Sequence, residues 1–349
     1  MNINSYAHSA IKGTIFDIQR FSIHDGPGIR TTVFMKGCPL RCLWCHNPES
    51  HEKKPQLAYY PLKCIGCGAC VTPCPLGLHA LEEIGSVGGD AAENNGFVGD
   101  VLCDAASGSG GNAASGFGGK ADKIHVFNRM GCAGCGRCAA ECVTGALALI
   151  GRTVSAAEAI AEVKKDEVFY RNSGGGMTLS GGEPFYQPDF ALALLALAKN
   201  ESLHTCVETC GVAPFEVIAD AARYTDIFLY DIKETEQARH KEFTGADNAL
   251  IINNLRKLDE TGASIILRCP IIPGMNDNEA HLTRVCEIAA SLNRIDHIDL
   301  EPYHPLGISK SDAIGRWPAH SDAQIPPKEF AEKWAAFMRE RINKPVLLS

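Results

Sequence analysis

Residues 37–47 read Gly-Cys-Pro-Leu-Arg-Cys-Leu-Trp-Cys-His-Asn, which places Cys38, Cys42 and Cys45 at spacing C-x3-C-x2-C. Three thiolates on one short loop suit a soft metal or an iron–sulfur cluster. A structural zinc site closes its shell with four ligands. A [4Fe–4S] cube held by three thiolates keeps one iron with an open position, where a small ligand can bind and react. Two blander readings compete: a zinc loop completed by His46, and three unrelated core thiols.

Upstream of the loop, Thr31-Thr32-Val33-Phe34-Met35 is β-branched and aromatic and reads as a strand that ends at Gly37. A loop at the carboxyl end of a strand is where parallel α/β folds keep their chemistry. Downstream, Cys64, Cys67, Cys70 and Cys74 follow C-x2-C-x2-C-x3-C and precede Pro75; Cys132, Cys135, Cys138 and Cys142 repeat the spacing before Val143. This is the bacterial two-cluster ferredoxin pattern, in which the fourth cysteine of each run serves the other cluster. One auxiliary cluster would take Cys64, Cys67, Cys70 and Cys142, and the other Cys132, Cys135, Cys138 and Cys74. Between the runs, residues 85–120 hold 11 glycines and few large apolar side chains. Such a stretch has little to bury and is expected to be a flexible insertion, with Cys103 a free thiol inside it.

The composition excludes several classes. The chain has 349 residues, is 45% hydrophobic and 21% charged, and carries a net charge of −8. No basic run argues for nucleic acid. No signal-peptide h-region opens the chain, and Phe190 to Ala198 is too short an apolar run to span a bilayer, so no membrane is expected. Sixteen cysteines, mostly in tight clusters, fit metal binding in a reducing compartment better than disulfides. A cytoplasmic location and low oxygen follow as expectations. Cys206, Cys210, Cys269 and Cys286 lie outside the cluster spacings and read as small buried hydrophobes.

From residue 152 strands and helices alternate. Ser155-Ala-Ala-Glu158 is a capping box predicting a helix to about Val168. Strands follow at Met177–Ser180, Thr205–Glu208, Ile227–Tyr230, Ser264–Leu267 and His297–Leu300. Helices are expected at 188–199, 214–223, 248–260, 278–292 and 327–342. With Thr31–Met35 this makes six strands, whose alternation with helices implies a parallel sheet with right-handed crossovers. Six units are too few for a closed eight-stranded barrel. Each strand after the first ends in unusual polar residues: Ser180-Gly181-Gly182-Glu183, Glu208-Thr209, Asp231 with Lys233, Arg268, and Tyr303-His304. In a parallel barrel these would share one face with the Cys38 loop.

The entry Ile23-His24-Asp25-Gly26-Pro27-Gly28-Ile29-Arg30, the three-cysteine loop with Trp44 before its third cysteine, and Gly181-Gly182-Glu183 one strand later resemble the radical S-adenosylmethionine (SAM) enzymes. Within them the resemblance is to the activating enzymes of glycyl radical enzymes, pyruvate formate-lyase activating enzyme-like, of the type with two additional ferredoxin-type [4Fe–4S] clusters. It runs from about Ile15 to Leu306. It implies an α/β fold with a partial (β/α)6 TIM-like barrel, the radical SAM core, into which a bacterial ferredoxin-like two-cluster domain is inserted. The core would then be residues 1–60 and 151–349, and the insert 61–150.

The implied cofactors are three [4Fe–4S] clusters, SAM and a monovalent cation. The implied reaction is reductive cleavage of SAM to a 5′-deoxyadenosyl radical that removes a hydrogen atom from a backbone glycine of a partner glycyl radical enzyme. A low-potential electron donor such as flavodoxin or ferredoxin is implied with it. Residue by residue, the family pattern has Cys38, Cys42 and Cys45 hold the SAM cluster. Trp44, Gly181, Gly182, Glu183 and His304 fall at SAM-contacting positions, Glu183 facing the SAM amino group and Lys233 its carboxylate. Glu208, Thr209 and Asp231 fall at the cation, with Glu208 where an aspartate is frequent. Arg268 matches a recurrent arginine without an assigned role. Asp25 is a candidate for positioning the partner's glycine, or an aspartate that stabilises a tight glycine turn. Two alternatives stand beside this: a radical SAM maturase acting on a peptide or small molecule, and a ferredoxin-type electron-transfer module, which needs neither the Cys38 trio nor the Gly-Gly-Glu.

Overall fold

The computed structural model describes residues 8–83, 123–316 and 324–349. The glycine-rich stretch at 85–120, with Cys103, lies outside the described residues. The described chain forms two compact units. One holds the residues up to Lys54, Gly151–Asp312 and 324–349; the other holds the described part of Pro55–Ile150 together with Ala313–Arg316. The second unit thus begins before residue 61 and recruits a distant segment. The reason is local packing: Ala313 and Ile314 bury against Ala58, and the Arg129 guanidinium donates to the Ala313 carbonyl at 2.8 Å.

Along the chain the strands are β1 (Lys12–Ser22), β2 (Arg30–Met35), β3 (Gln56–Tyr59), β4 (His79–Glu83), β5 (Lys123–Phe127), β6 (Leu147–Ile150) and β7 (Arg152–Ser155). They continue with β8 (Gly176–Gly181), β9 (His204–Thr209), β10 (Ile227–Asp231), β11 (Ser264–Ile271), β12 (Ile295–Pro302) and β13 (Val346–Leu348). In the first unit nine strands make one sheet in the order β13-β12-β11-β10-β9-β8-β2-β1-β7. Neighbours from β2 to β13 are parallel; β1 runs antiparallel to β2 and to β7. The six expected strands are β2 and β8–β12. The three additional ones are β1, which precedes the first expected strand, and β7 and β13, which at four and three residues are too short to carry a pattern.

The expected helices appear at Ala156–Val163, Pro188–Asn200, Phe215–Ala222, Ala249–Glu260, Glu279–Ala290 and Lys328–Arg339. The first is shorter than expected: a 3-10 turn at Lys164–Asp166 breaks it from a second helix, Glu167–Ser173. Arg137–Ala140 is a single turn, and two further helices, Gln237–Thr244 and Leu306–Ala313, lack an apolar stripe, so periodicity reveals none of the three. Gln237–Thr244 is set by its ends, with the Glu236 carboxylate accepting from the Ala238 and Arg239 N–H groups and Gly245 closing it at φ +85°.

Strand side chains alternate between two faces. Val33, Met35, Leu179, Val207, Phe228, Tyr230, Ile265, Leu267, Ile298 and Leu300 pack toward the helices in one large core, with Phe190, Leu194 and Leu195 from the facing helix. Cys206, Leu229 and Ile266 form a separate small cluster on the other face. That second face ends in Ser180, Glu208, Asp231, Arg268 and Glu301, because each is an even number of residues from an inward neighbour. The second unit carries two antiparallel pairs, β3 with β6 and β4 with β5. Among the described residues no helix is long and apolar enough to cross a membrane.

The capping box is present in full: the Ser155 hydroxyl accepts from the Glu158 N–H at 3.3 Å, and the Glu158 carboxylate accepts from the Ser155 N–H at 2.7 Å. Ser155→Ala is expected to cost about 1 kcal/mol, read as a Tm lowered by roughly 2–4 °C, with iron content unchanged.

Candidate functional site

The pairing of β2 with β8 puts Met35 opposite Gly181 at the ends of both strands. Past that point the backbones stay joined: the Gly182 N–H donates to the Met35 carbonyl at 2.8 Å and the Glu183 N–H to the Gly37 carbonyl at 2.9 Å. The approach requires glycine. A Cβ on Gly181 would lie 2.4 Å from the Met35 nitrogen, and one on Gly182 would lie 2.3 Å from the Gly37 carbonyl oxygen. The two glycines therefore fit one strand end against the start of the cysteine loop. The loop is held from its other side by the Arg41 N–H on the Thr244 carbonyl at 2.7 Å and the Leu43 N–H on Phe243 at 3.0 Å. Trp44 is buried with its ring edge-on to Phe243 at 5.9 Å.

Cys38, Cys42 and Cys45 line one cavity of about 140 Å³, open to solvent, together with Trp44, His46, Ser180, Gly181, Gly182, Glu208, Asp231, Lys233 and Glu301. Three thiolates from one loop beside an open cavity are a donor set that fits an iron–sulfur cluster with one iron left free for a ligand. Burial pushes the Cys42 thiol well up and the Cys45 thiol up to about 11, while the Cys210 thiol beside Cys38 holds Cys38 down.

The charged groups of this cavity come in pairs. The Lys233 ammonium lies 2.9 Å from an Asp231 carboxylate oxygen. Burial opposes its charge, but Asp231, Cys42 and Cys210 outweigh burial and hold its pKa well above the ordinary lysine range. Behind the lining, the Arg268 guanidinium bridges two carboxylates, Glu208 at 3.0 Å and Glu301 in a closer contact. Burial raises Glu301 to about 7 against the pull of Arg268. Burial also works against ionised Glu208, but Arg268 and the Ser180 hydroxyl bring it below the ordinary range. The recurrent arginine therefore ties the ends of β9 and β12 together across the site.

Several expectations change here. The Glu183 side chain is fully buried and absent from the cavity lining; its carboxylate accepts from the Thr209 hydroxyl at 2.9 Å, the Cys210 N–H at 2.8 Å, the Phe185 N–H at 3.0 Å and the Cys210 thiol at 3.0 Å. It pins the β8 and β9 ends, and its carboxylate is taken up by these donors. Thr209 follows inward-facing Glu208 by one residue, so it points to the opposite face and misses the cavity. His304 is exposed and does not line it either. Asp25 also lies outside the lining. Its carboxylate accepts from the Thr32 hydroxyl at 2.5 Å, and its carbonyl from the Thr178 hydroxyl at 2.7 Å. That is the turn-stabilising arrangement. Burial and nearby Glu208 raise the Asp25 carboxyl. Cys210 is more than a packing thiol, since it touches both Cys38 and Glu183. Glu301 was missed, although strand alternation through Asp299 marks it.

In the second unit, Cys64, Cys67, Cys70 and Cys142 line one cavity. Cys74, Cys132, Cys135 and Cys138 line another. In each set the fourth cysteine comes from the other run. The crossing sulfurs also accept backbone hydrogen bonds, Cys142 from the Leu147 N–H at 3.3 Å and Cys74 from the Leu78 N–H at 3.4 Å; at Cys142 such bonds outweigh burial and hold the thiol below its ordinary range. Gly134 and Gly136 both hold positive φ, and a Cβ on Gly134 would lie 2.4 Å from the Pro55 carbonyl oxygen. These donor sets fit iron–sulfur clusters.

The family model of the Radical SAM superfamily matches residues 129–285, and that of a 4Fe-4S single cluster domain matches residues 24–75. The chain is 38% identical over 324 residues to the choline trimethylamine-lyase activating enzyme of Oleidesulfovibrio alaskensis, spanning 90% of this chain and 93% of that one. It is 38% identical to the isethionate sulfite-lyase activating enzyme of Nitratidesulfovibrio vulgaris, over 90% and 91% of the two chains. It is 35% identical to the trans-4-hydroxy-L-proline dehydratase activating enzyme of Clostridioides difficile, over 91% and 93%.

Gly182→Ala tests the close approach. Its methyl group must push the Gly37 carbonyl, and with it the first cysteine, out of place. Misplacement by about 1 Å can cost roughly a hundredfold in rate. The expected outcome is normal folding by circular dichroism, with iron lost from the Cys38 loop and SAM cleavage reduced by about that factor.

Proposed function

The chain belongs to the radical SAM superfamily and, within it, to the activating enzymes of glycyl radical enzymes, and we propose that the cavity lined by Cys38, Cys42, Cys45 and Lys233 is where SAM is held. The enzyme uses one electron from an iron–sulfur cluster to cleave SAM to methionine and a 5′-deoxyadenosyl radical, which takes a hydrogen atom from a backbone glycine of a partner glycyl radical enzyme. The observation that carries the site is the convergence on one cavity of the three loop cysteines with Asp231, Lys233, Glu208 and Glu301.

In this reading Cys38, Cys42 and Cys45 are the ligands of the first cluster and leave one iron open to SAM. Lys233 is the ammonium in the lining and suits the SAM carboxylate, which must share it with Asp231. Glu208 and Asp231 suit the positive amino and sulfonium groups, the part Glu183 cannot take. Arg268 acts at one remove by keeping Glu208 and Glu301 in position. A monovalent cation would find the carboxylates of Glu208 and Asp231 but not the Thr209 hydroxyl, which is committed to Glu183. Asp25 stabilises the entry turn through Thr32 and Thr178, and a part in positioning the partner's glycine rests on the family resemblance alone.

The second unit is assigned two [4Fe–4S] clusters, one on Cys64, Cys67, Cys70 and Cys142, the other on Cys132, Cys135, Cys138 and Cys74. The two four-cysteine cavities support it. A flavodoxin or ferredoxin supplies the electron. The three named relatives act with three different lyases or dehydratases, so the class of partner follows from kinship and its individual identity does not.

Anaerobic reconstitution should give about twelve irons per chain; a plateau near four would remove the auxiliary clusters. With excess chemical reductant, Cys42→Ala should release no 5′-deoxyadenosine, whereas Cys67→Ala should retain some. Lys233→Ala should keep its iron and bind SAM roughly ten- to more than a hundredfold more weakly, the equivalent of a charge-assisted hydrogen bond of about 1.5–3 kcal/mol. Unchanged SAM affinity in Lys233→Ala would take this lysine out of the site.

A further inference from the structure

The two four-cysteine cavities share a feature that the cluster assignment leaves unused. His79 on β4 and His125 on β5 are diagonal neighbours across the antiparallel ladder, since His79 pairs with Phe127 and His125 with Leu81. Both side chains are buried. His79 Nδ1 lies 3.0 Å from His125 Nε2. The rings are fixed from both sides: His79 stacks on Phe127 at 4.7 Å, and Tyr59 meets His125 edge-on at 4.9 Å. His125 lines the cavity of Cys64, Cys67, Cys70 and Cys142, while His79 lines that of Cys74, Cys132, Cys135 and Cys138. A hydrogen-bonded imidazole pair thus spans from one cavity to the other.

Two neutral imidazoles carry two N–H protons on four nitrogens. One proton is shared inside the pair, so a single N–H is left to point outward. His125 Nδ1 is buried and has no hydrogen-bond partner among the described residues. A buried polar atom without a partner is unfavourable unless something in the cavity satisfies it. The sulfurs of a cluster there are acceptors. The favoured arrangement is therefore His79 Nδ1–H donating to His125 Nε2, which leaves the outward N–H on His125 Nδ1.

We propose that His125 donates a hydrogen bond from Nδ1 to a sulfur of the cluster held by Cys64, Cys67, Cys70 and Cys142, with His79 fixing the tautomer, so that this cluster has a higher potential than its neighbour. An N–H on a cluster sulfur stabilises the more negative, reduced state, and such bonds are among the factors that set cluster potentials. His125 and His79 are positioning residues; neither is a ligand. The inference rests on the assignment of clusters to the second unit. The same atoms allow one rival: Cys70, His79 and His125 bring ligand atoms within 4.8 Å of one another and could hold a single metal ion if Cys70 were not taken by a cluster.

The full-length protein is reconstituted anaerobically and assayed for iron and zinc before any potential is measured. About twelve irons per chain keeps the cluster assignment; about four removes that assignment and this proposal with it. On the twelve-iron protein, a redox titration followed by electron paramagnetic resonance reads the couples. His125→Phe should make one couple harder to reduce, changing its oxidised-to-reduced ratio at a given potential about tenfold, or about 59 mV for one electron. The other two couples should not move, and the couple that moves should be the one disturbed by Cys67→Ser. His125→Gln keeps an N–H donor and should retain most of the wild-type value. His79→Phe should move the same couple less. No shift in a twelve-iron His125→Phe protein, an equal shift in all couples, or a Gln variant that behaves like Phe would overturn the proposal. One tightly held zinc per chain, lost with either histidine, would overturn it in favour of a mononuclear site.

Discussion

The close parallel contact between the ends of β2 and β8 is the constraint on which the first unit depends. Gly181 and Gly182 leave no room for a side chain between β8 and the start of the cysteine loop. Upstream, fully buried Arg30 locks the same two strands together. Its guanidinium donates to the Thr178 hydroxyl at 2.6 Å and the Met177 carbonyl at 2.6 Å, and reaches back to the Pro27 carbonyl at 3.0 Å. The Asp-Gly-Pro-Gly turn and the cysteine loop are thereby fixed at opposite ends of one strand pair. Substrate positioning to a fraction of an ångström needs such a rigid base.

Electrostatics supplies the second layer. Three acidic groups, Glu208, Asp231 and Glu301, crowd the same strand ends as Arg268 and Lys233. Burying such a set is costly, and removing one partner of a buried pair commonly costs about 3–5 kcal/mol because the other charge is stranded. The pairs Arg268–Glu208, Arg268–Glu301 and Lys233–Asp231 keep the charge in place. Glu301 is the one whose carboxyl burial raises to about 7 despite Arg268. Glu183 shows the opposite strategy. Several donors surround its carboxylate, and it joins two strand ends with none of its area exposed.

The second unit is built on a different economy. Its apolar core is small, centred on Leu57, Tyr59, Cys138, Ala146 and Leu147. Cysteines take up much of the interior that side-chain packing fills elsewhere, and two two-stranded pairs are marginal without such support. The histidine pair gives this interior a polar link between its two cavities.

Much of this was legible in the residue order. Ligand spacing is a local property, so the Cys38 loop and both ferredoxin runs could be read directly, as could the six main strands and the Ser155 capping box. The crossing of Cys74 and Cys142 between runs followed from the pattern as well. What residue order did not reveal is the direction of side chains at the strand ends. Glu183, Thr209 and His304 sit in motifs that mark the site, yet none lines the cavity, and Glu301, outside every motif, does. A motif places a residue along the chain, but the face it presents is decided by strand alternation and by which neighbour satisfies it once buried. The His79–His125 contact is the extreme case. The two residues are 46 positions apart and carry no spacing signal, and only the pairing of β4 with β5 brings their nitrogens to 3.0 Å.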